Sequence, residues 1–183
     1  MKNQMKDLIA DAFVALAKKK NVDKITVKDL VDYCDISRQS FYYHFQDILE
    51  VLEYLSQRME REIAAQSREA SSLEDAVKLL TGHFIERFPL IEKMRDSQKR
   101  DFVEQLVLDS LQNHFRNAAK EAAANRPLEM TGTDIEALIN FCSYGLAGLM
   151  IAHCKTKSPN ADELTRQVIA VFKYLTPAPD AER

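Results

Sequence analysis

The sequence predicts an all-α chain of about nine helices, and three observations carry that expectation. Apolar residues recur at i, i+3, i+4 and i+7 along nearly the whole length, the period of one helix face. The 183 residues include only four glycines and five prolines, too few for the many turns of a β-sandwich or barrel. Apolar residues make up 46% and charged ones 29%, with a net charge of −3. That mixture is enough to build a core and fits neither a disordered chain nor a basic nucleic-acid tail.

The elements follow in order. Met5, Leu8, Ile9, Ala12, Phe13 and Leu16 form one stripe of a first helix, which ends in Lys18-Lys19-Lys20 where cations suit the negative end of the helix dipole. That lysine run reads as a solvated helix end. A second helix starts at Thr26, with Asp29 at capping-box spacing and Ile25 and Leu30 at the staple positions. Cys34 closes its short apolar stripe. Asp35 and Ile36 make a tight turn, and Asp tolerates the left-handed conformation such turns use. Ser37 caps a third helix, 37–45, with Ile36 and Phe41 as its staple. Two short helices, 26–34 and 37–45, joined by so short a turn form a helix-turn-helix.

A fourth helix begins near Asp47 and runs to about 66 through Leu49, Leu52, Leu55, Met59 and Ile63. The polar stretch 67–72 reads as a boundary. Ser71 and Glu74 have capping-box spacing, and Leu73, Val77, Leu80, Phe84 and Phe88 continue until Pro89 breaks or kinks the helix. A short helix covers 90–95, and longer ones cover about 98–124, 134–154 and 161–175. The loops 125–133 and 155–160 separate the last three, and the tail 176–183 reads as frayed. The division expected is 1–46, a helix-turn-helix domain; 47–66, a connecting helix; and 67–183, a helical domain.

Several functions are excluded. Four glycines, at 82, 132, 145 and 148, cannot spell a phosphate-cradling loop or a dinucleotide fingerprint. No nucleophile elbow, HExxH or paired-carboxylate motif occurs, so nothing points to an enzyme. Cys34, Cys142 and Cys154 are odd in number without CxxC, which fits neither a disulfide framework nor a zinc ribbon. His83, His114 and His153 lack ligand spacing, so no metal or cofactor is expected. No apolar signal core opens the chain, and the most apolar run, 141–152, is short of the roughly 20 residues of a membrane span. The expectation is a soluble cytoplasmic protein without a membrane partner.

The third helix carries the chemistry. At about 100° per residue, Phe41 and Phe45 share one face and point to the core. Gln39 and Tyr43 then point away, flanked by Ser40 and Tyr42, with Arg38 in the first turn and His44 at the far end. The window 36–46 holds no acid in a chain with 28 of them. A solvated polar face does not call for two aromatic rings. Gln bonds base edges, Tyr reaches phosphate oxygens or thymine methyls, and the helix N-terminus offers N–H groups to a phosphate. The expected partner is double-stranded DNA. Residues 1–50 hold eight basic and eight acidic residues, so non-specific affinity is expected to be modest.

The segment Ile25-Thr26-Val27-Lys28-Asp29-Leu30, followed by Ile36-Ser37-Arg38-Gln39-Ser40-Phe41-Tyr42-Tyr43-His44-Phe45, resembles the DNA-binding domain of TetR-family bacterial transcriptional regulators. The resemblance covers residues 5–55 closely and extends beyond them only as helix layout. It implies a three-helix DNA-binding domain, a connecting helix and a larger helical domain for ligand and dimerisation. Carried over, it makes Thr26, Ser37, Tyr42 and His44 mainly phosphate-holding, with Lys28 beside them, and Arg38, Gln39, Ser40 and Tyr43 the base readers. Two positions depart: Asp35 stands where the family usually has Gly, and Ile48 where it often has a phosphate-gripping Lys. The run Phe41 through Ile48 resembles the subgroup typified by regulators of dihydroxyacetone kinase operons.

The resemblance further implies a repressor relieved by a small-molecule effector and bound to a palindromic operator. The alternatives are an activator, a regulator controlled by a partner protein, or a helical interaction module without DNA binding. Phe84, Phe88, Phe102, Phe115, Phe141 and Tyr144 read singly as core; the resemblance makes some of them candidates to line an effector pocket. Helix 134–154 is apolar nearly all round, more than one core face requires. If Ile135, Leu138, Cys142, Leu146 and Leu149 pack inward, the other side needs a cover. Gly145 and Gly148 would let a partner helix approach closely. With Leu149, Val168, Val171, Phe172 and Leu175 they form the expected homodimer face, half of a four-helix bundle completed by symmetry.

Overall fold

The computed structural model describes residues 2–67, 72–125, 130–156 and 158–175. All regular structure among them is helical: α1 (Lys2–Lys19), α2 (Val27–Cys34), α3 (Arg38–His44), α4 (Ile48–Ser67), α5 (Leu73–Arg95), α6 (Arg100–Asn125), α7 (Gly132–Cys154) and α8 (Ala161–Leu175). A single 3-10 turn, Val22–Lys24, precedes α2. The expected short helix at 90–95 is the last part of α5, which continues through Pro89. Proline withholds one N–H and crowds one carbonyl, and the helix resumes beyond both losses.

Local chemistry sets the ends. Thr26 accepts from the Asp29 amide at 3.2 Å while Asp29 accepts from the Thr26 amide at 2.7 Å, a complete capping box. Thr131 and Asp134 repeat it at α7. Asp35 takes the left-handed conformation, with φ 53°, in place of the usual glycine. Asp47 accepts from the Glu50 amide at 3.0 Å, and Glu50 accepts from the Gln46 amide, which closes the start of α4. Ser71 lies outside the described residues; the bond expected of it is made one position on, where Ser72 accepts from the Asp75 amide at 3.1 Å. The tail 176–183 and the loop residues 126–129 also lie outside the described residues.

The chain forms two compact units. The first joins Met1–Arg61 to Pro89–Ser110; the second joins Glu62–Phe88 to Leu111–Arg183. This cuts across the division read from the sequence, because the α5–α6 turn belongs with the helix-turn-helix. The first core is built on Ile9, Phe13, Leu30, Phe41, Phe45 and Val51, all essentially fully buried. Arg58 ties α4 to α1 through Asp7 at 3.3 Å and Asp11 at 2.7 Å, and the Tyr54 hydroxyl donates to Asp7 at 2.9 Å.

In the second unit, Phe84, Phe88, Leu111, Leu146, Met150, Leu164 and Val168 are buried. The hydroxyls of Thr81 and Thr165 meet at 2.8 Å inside it. The inner face of α7 is Ile139, Ser143, Leu146, Ala147, Met150 and His153. Leu138, expected inward, is 50% exposed, and Phe141 and Tyr144 are out with it. On a helix apolar nearly all round, the sequence pattern leaves orientation to the fit against neighbouring helices. Taken whole, α7 is long and apolar enough to cross a membrane by length and composition, though the run 141–152 alone is not.

Candidate nucleic-acid interface

The site is built on α3 and the start of α2. Phe41 and Phe45 plug α3 into the core, with ring centroids 6.0 Å apart, and Phe45 meets the Tyr54 ring edge-on at 5.7 Å. These anchors fix the rotation of the helix. Ser37 accepts from the Ser40 amide at 3.0 Å and fixes its start. Arg38, Gln39, Tyr42 and Tyr43 stand exposed as a result, Tyr43 at 73%. Ser40 and His44 are half-buried at the rim. The His44 ring packs at right angles to Tyr43, with centroids 5.0 Å apart, and Tyr42 sits edge-on to Phe41 at 5.5 Å. The exposed rings are therefore braced, which lowers the entropy cost of placing them against a ligand.

Thr26 and Lys28 are exposed at the start of α2. The Thr26 hydroxyl donates to Asp29 at 2.7 Å, so holding a phosphate would mean exchanging that bond. Lys20 pairs with the same carboxylate at 2.8 Å. The Lys20 ammonium first, then the Thr26 hydroxyl and amide, hold the Asp29 carboxyl well below the usual carboxylate range. The solvated helix end expected at Lys18-Lys19-Lys20 thus includes a paired lysine, whose partner lies nine residues on with no local pattern to link them. At the start of α4, Asp47 and Glu50 place two carboxylates on either side of Ile48.

The aromatic residues expected around a pocket are not gathered together. Phe84 and Phe88 are buried with centroids 5.8 Å apart, and Phe115 lies 6.5 Å from Phe172. Phe102 belongs to the first unit, and Phe141 and Tyr144 face outward. A cavity of about 280 Å³ opens instead between α5 and α8, where Lys78, Asp162, Thr165 and Arg166 are among its lining residues. Of the expected dimer face, Gly145, Gly148 and Val171 are exposed, Leu149 and Phe172 half-buried, and Val168 is buried within the protomer. The Leu175 side chain lies outside what the structure describes. Among the described residues no three His, Cys, Asp or Glu side chains gather as a metal site.

Comparison with known proteins agrees with this geometry. Residues 9–55 match the family model for bacterial regulatory proteins of the tetR family. No curated protein matches the chain. Among solved structures, the dihydroxyacetone kinase operon activator DhaS has the same fold, with a TM-score of 0.70 at 17% identity over 93% of this chain and 95% of that one. A protein from Syntrophomonas wolfei str. Goettingen, described as a TetR-family transcriptional regulator, gives 0.66 at 13% identity over 96% of each chain. Residues 9–55 thus match the tetR family's N-terminal domain, on which the helix-turn-helix lies, and the chain as a whole shares the fold of these two solved structures.

Proposed function

We propose that the protein reads an operator with α3 as a homodimer and represses transcription until a small-molecule effector releases it. The observation that carries the DNA reading is the outer face of α3: Arg38, Gln39, Tyr42 and Tyr43 exposed on a helix pinned by two buried phenylalanines. Arg38, Gln39, Ser40 and Tyr43 are the base readers in this reading, and Thr26, Lys28, Ser37, Tyr42 and His44 hold phosphates. One such helix covers too few base pairs to be specific, so a second copy supplies the second half-site. The exposed apolar face of α7 supports that partner, since Leu138, Phe141 and Tyr144 have no reason to face water. Its DNA places the protein in the cytoplasm.

The test is selection of duplexes from randomised DNA, followed by footprinting. A palindromic site with half-sites about one helical turn apart is the expected result, and a pool that stays random would refute the reading. The sign of regulation is read with a reporter placed behind the selected site. Repression predicts higher expression when the gene for this protein is deleted. Activation, the role named for the dihydroxyacetone kinase operon regulator of the same fold, predicts lower expression. The effector is placed in the second unit, among α5, the later part of α6, and α7 and α8. Release of the selected duplex by a compound whose binding is lost on changing Phe84 or Phe115 would support this.

A further inference from the structure

The turn between α5 and α6 is fastened to the chain just ahead of the helix-turn-helix, within the first unit. Asp23 lies in the 3-10 turn, three residues before the Thr26 cap of α2. Its carboxylate accepts from the Gln98 amide through both oxygens, at 3.2 and 3.3 Å, and pairs with Lys99 Nζ at 3.2 Å. The two side chains are only 25% and 18% exposed, and Lys99 is among the most enclosed cations in any described ion pair. Lys93 adds a second tie, donating to the carbonyls of Ala17 and Lys18 at 3.0 and 3.1 Å at the end of α1. The 96–99 turn is itself braced, because Arg95 and Arg100 share one oxygen of Glu104 at 2.9 and 3.0 Å. On either side of Asp23, Val22 and Ile25 are buried, so the segment has little freedom to absorb a displacement.

We propose that Asp23 and Lys99 are positioning residues for DNA reading: the 96–99 turn fixes the 3-10 turn, and through it the approach of α2 and α3 to the grooves. This rests on the reading of α3 as the recognition helix. The clasp touches no base. It holds the segment whose end is the Thr26 cap, and a shift there moves every side chain carried by α2 and α3 together. The proposal makes a prediction opposite in sign to plain electrostatics. Replacing Asp23 removes a negative charge, which alone would favour binding to any DNA. A lost clasp instead weakens binding to the correct site.

The experiment uses the full chain and a duplex selected by the wild-type protein, with a scrambled duplex of equal length as reference. The readout is the ratio of the two dissociation constants, measured with melting temperatures for Asp23→Asn, Lys99→Met and the control Tyr43→Ala. Asp23→Asn is expected to lose about fivefold or more of the ratio, on the scale of one misplaced base contact, with affinity for the scrambled duplex unchanged or higher. Lys99→Met is expected to lose a similar share of the ratio. A role in stability alone would lower the melting temperature and leave the ratio of the folded protein unmoved. If Asp23→Asn folds poorly, Lys99→Met decides, since Asp23 then keeps both bonds from Gln98. Ratios within about twofold of wild type in the folded variants, with Tyr43→Ala reduced, overturn the clasp and leave the α3 reading standing. A wild-type ratio in Tyr43→Ala as well takes down both.

Discussion

The Asp29 carboxylate accepts from both the amide and the hydroxyl of Thr26, each at 2.7 Å, with Lys20 beside it at 2.8 Å. The start of α2 therefore depends on Asp29 being ionised, and its carboxyl titrates well below the usual range. Such a group stabilises the fold fully above its unfolded pKa of about 4 and loses that contribution as pH falls towards the folded value. Asp29→Ala is expected to cost about 1 kcal/mol at pH 7, the size of a lost cap. The gap between wild type and variant should narrow only below about pH 4. Urea denaturation at a series of pH values checks this; a gap that stays constant down to pH 2 would contradict it.

Gln39 and Tyr43 lie on the outward face of α3, away from Phe41 and Phe45. Gln39→Ala and Tyr43→Ala are each expected to weaken specific DNA binding by about 1–3 kcal/mol. Exposed side chains away from caps and cores shift stability by about 0.5 kcal/mol or less. Binding titrations and thermal melts of the same preparations separate the two effects. Full operator affinity in both variants would remove α3 from the role of reader.

The helix-turn-helix was legible in the sequence because its determinants are local. Thr26 caps with Asp29, Asp35 takes the left-handed turn and Ser37 caps α3, each through residues no more than a few positions apart, and Ile25 and Leu30 are both buried. The placement of the α5–α6 turn was not legible. Lys93 reaches a carbonyl 76 residues away, and Lys99 an acid equally far, through side chains that look like any solvated lysine. The rotation of α7 was misread for a different reason. Leu138 and Ile139 are neighbours of similar hydrophobicity, so composition does not tell which is buried; in the structure it is Ile139. Helix α5 passing through Pro89 was hidden because a proline costs one hydrogen bond in either outcome.

Inside the second unit the Thr81 and Thr165 hydroxyls meet at 2.8 Å, and each also lies against a backbone carbonyl of its own helix, Lys78 at 3.1 Å and Ala161 at 2.7 Å. Removing one partner takes a buried hydrogen bond from the other and leaves it only its backbone carbonyl, whereas removing both leaves an apolar contact of similar shape. Thr81→Val and Thr165→Val are each expected to cost about 1–3 kcal/mol. The double variant should cost clearly less than the two added together, a coupling of about 0.5 kcal/mol or more. A double-mutant cycle by denaturant unfolding measures it, and strict additivity would mean that the hydroxyls contribute independently.

The proposed dimer face makes the sharpest demand on α7. Leu138, Phe141 and Gly145 recur at three and four residues, and Gly148 follows three further on, the spacing of a helix-packing seam. Phe141 is 64% exposed, and a Cβ added to Gly145 or Gly148 would meet nothing within 4 Å in the protomer. The protomer therefore has no use for the ring or for the bare backbone, whereas a second copy packed on the seam uses both. Wild-type protein at micromolar concentration is expected to sediment at twice 20.9 kDa. Phe141→Glu would bury a charge in the seam, and Gly148→Leu would hold the helices apart. Both are expected to shift the species towards 20.9 kDa without loss of helix by circular dichroism. Each should also weaken binding to a two-half-site operator much more than to a single half-site, because only the paired site needs two joined copies. A wild-type protein that sediments as a single chain would refute the dimer, and variants that remain dimeric would move its interface off α7.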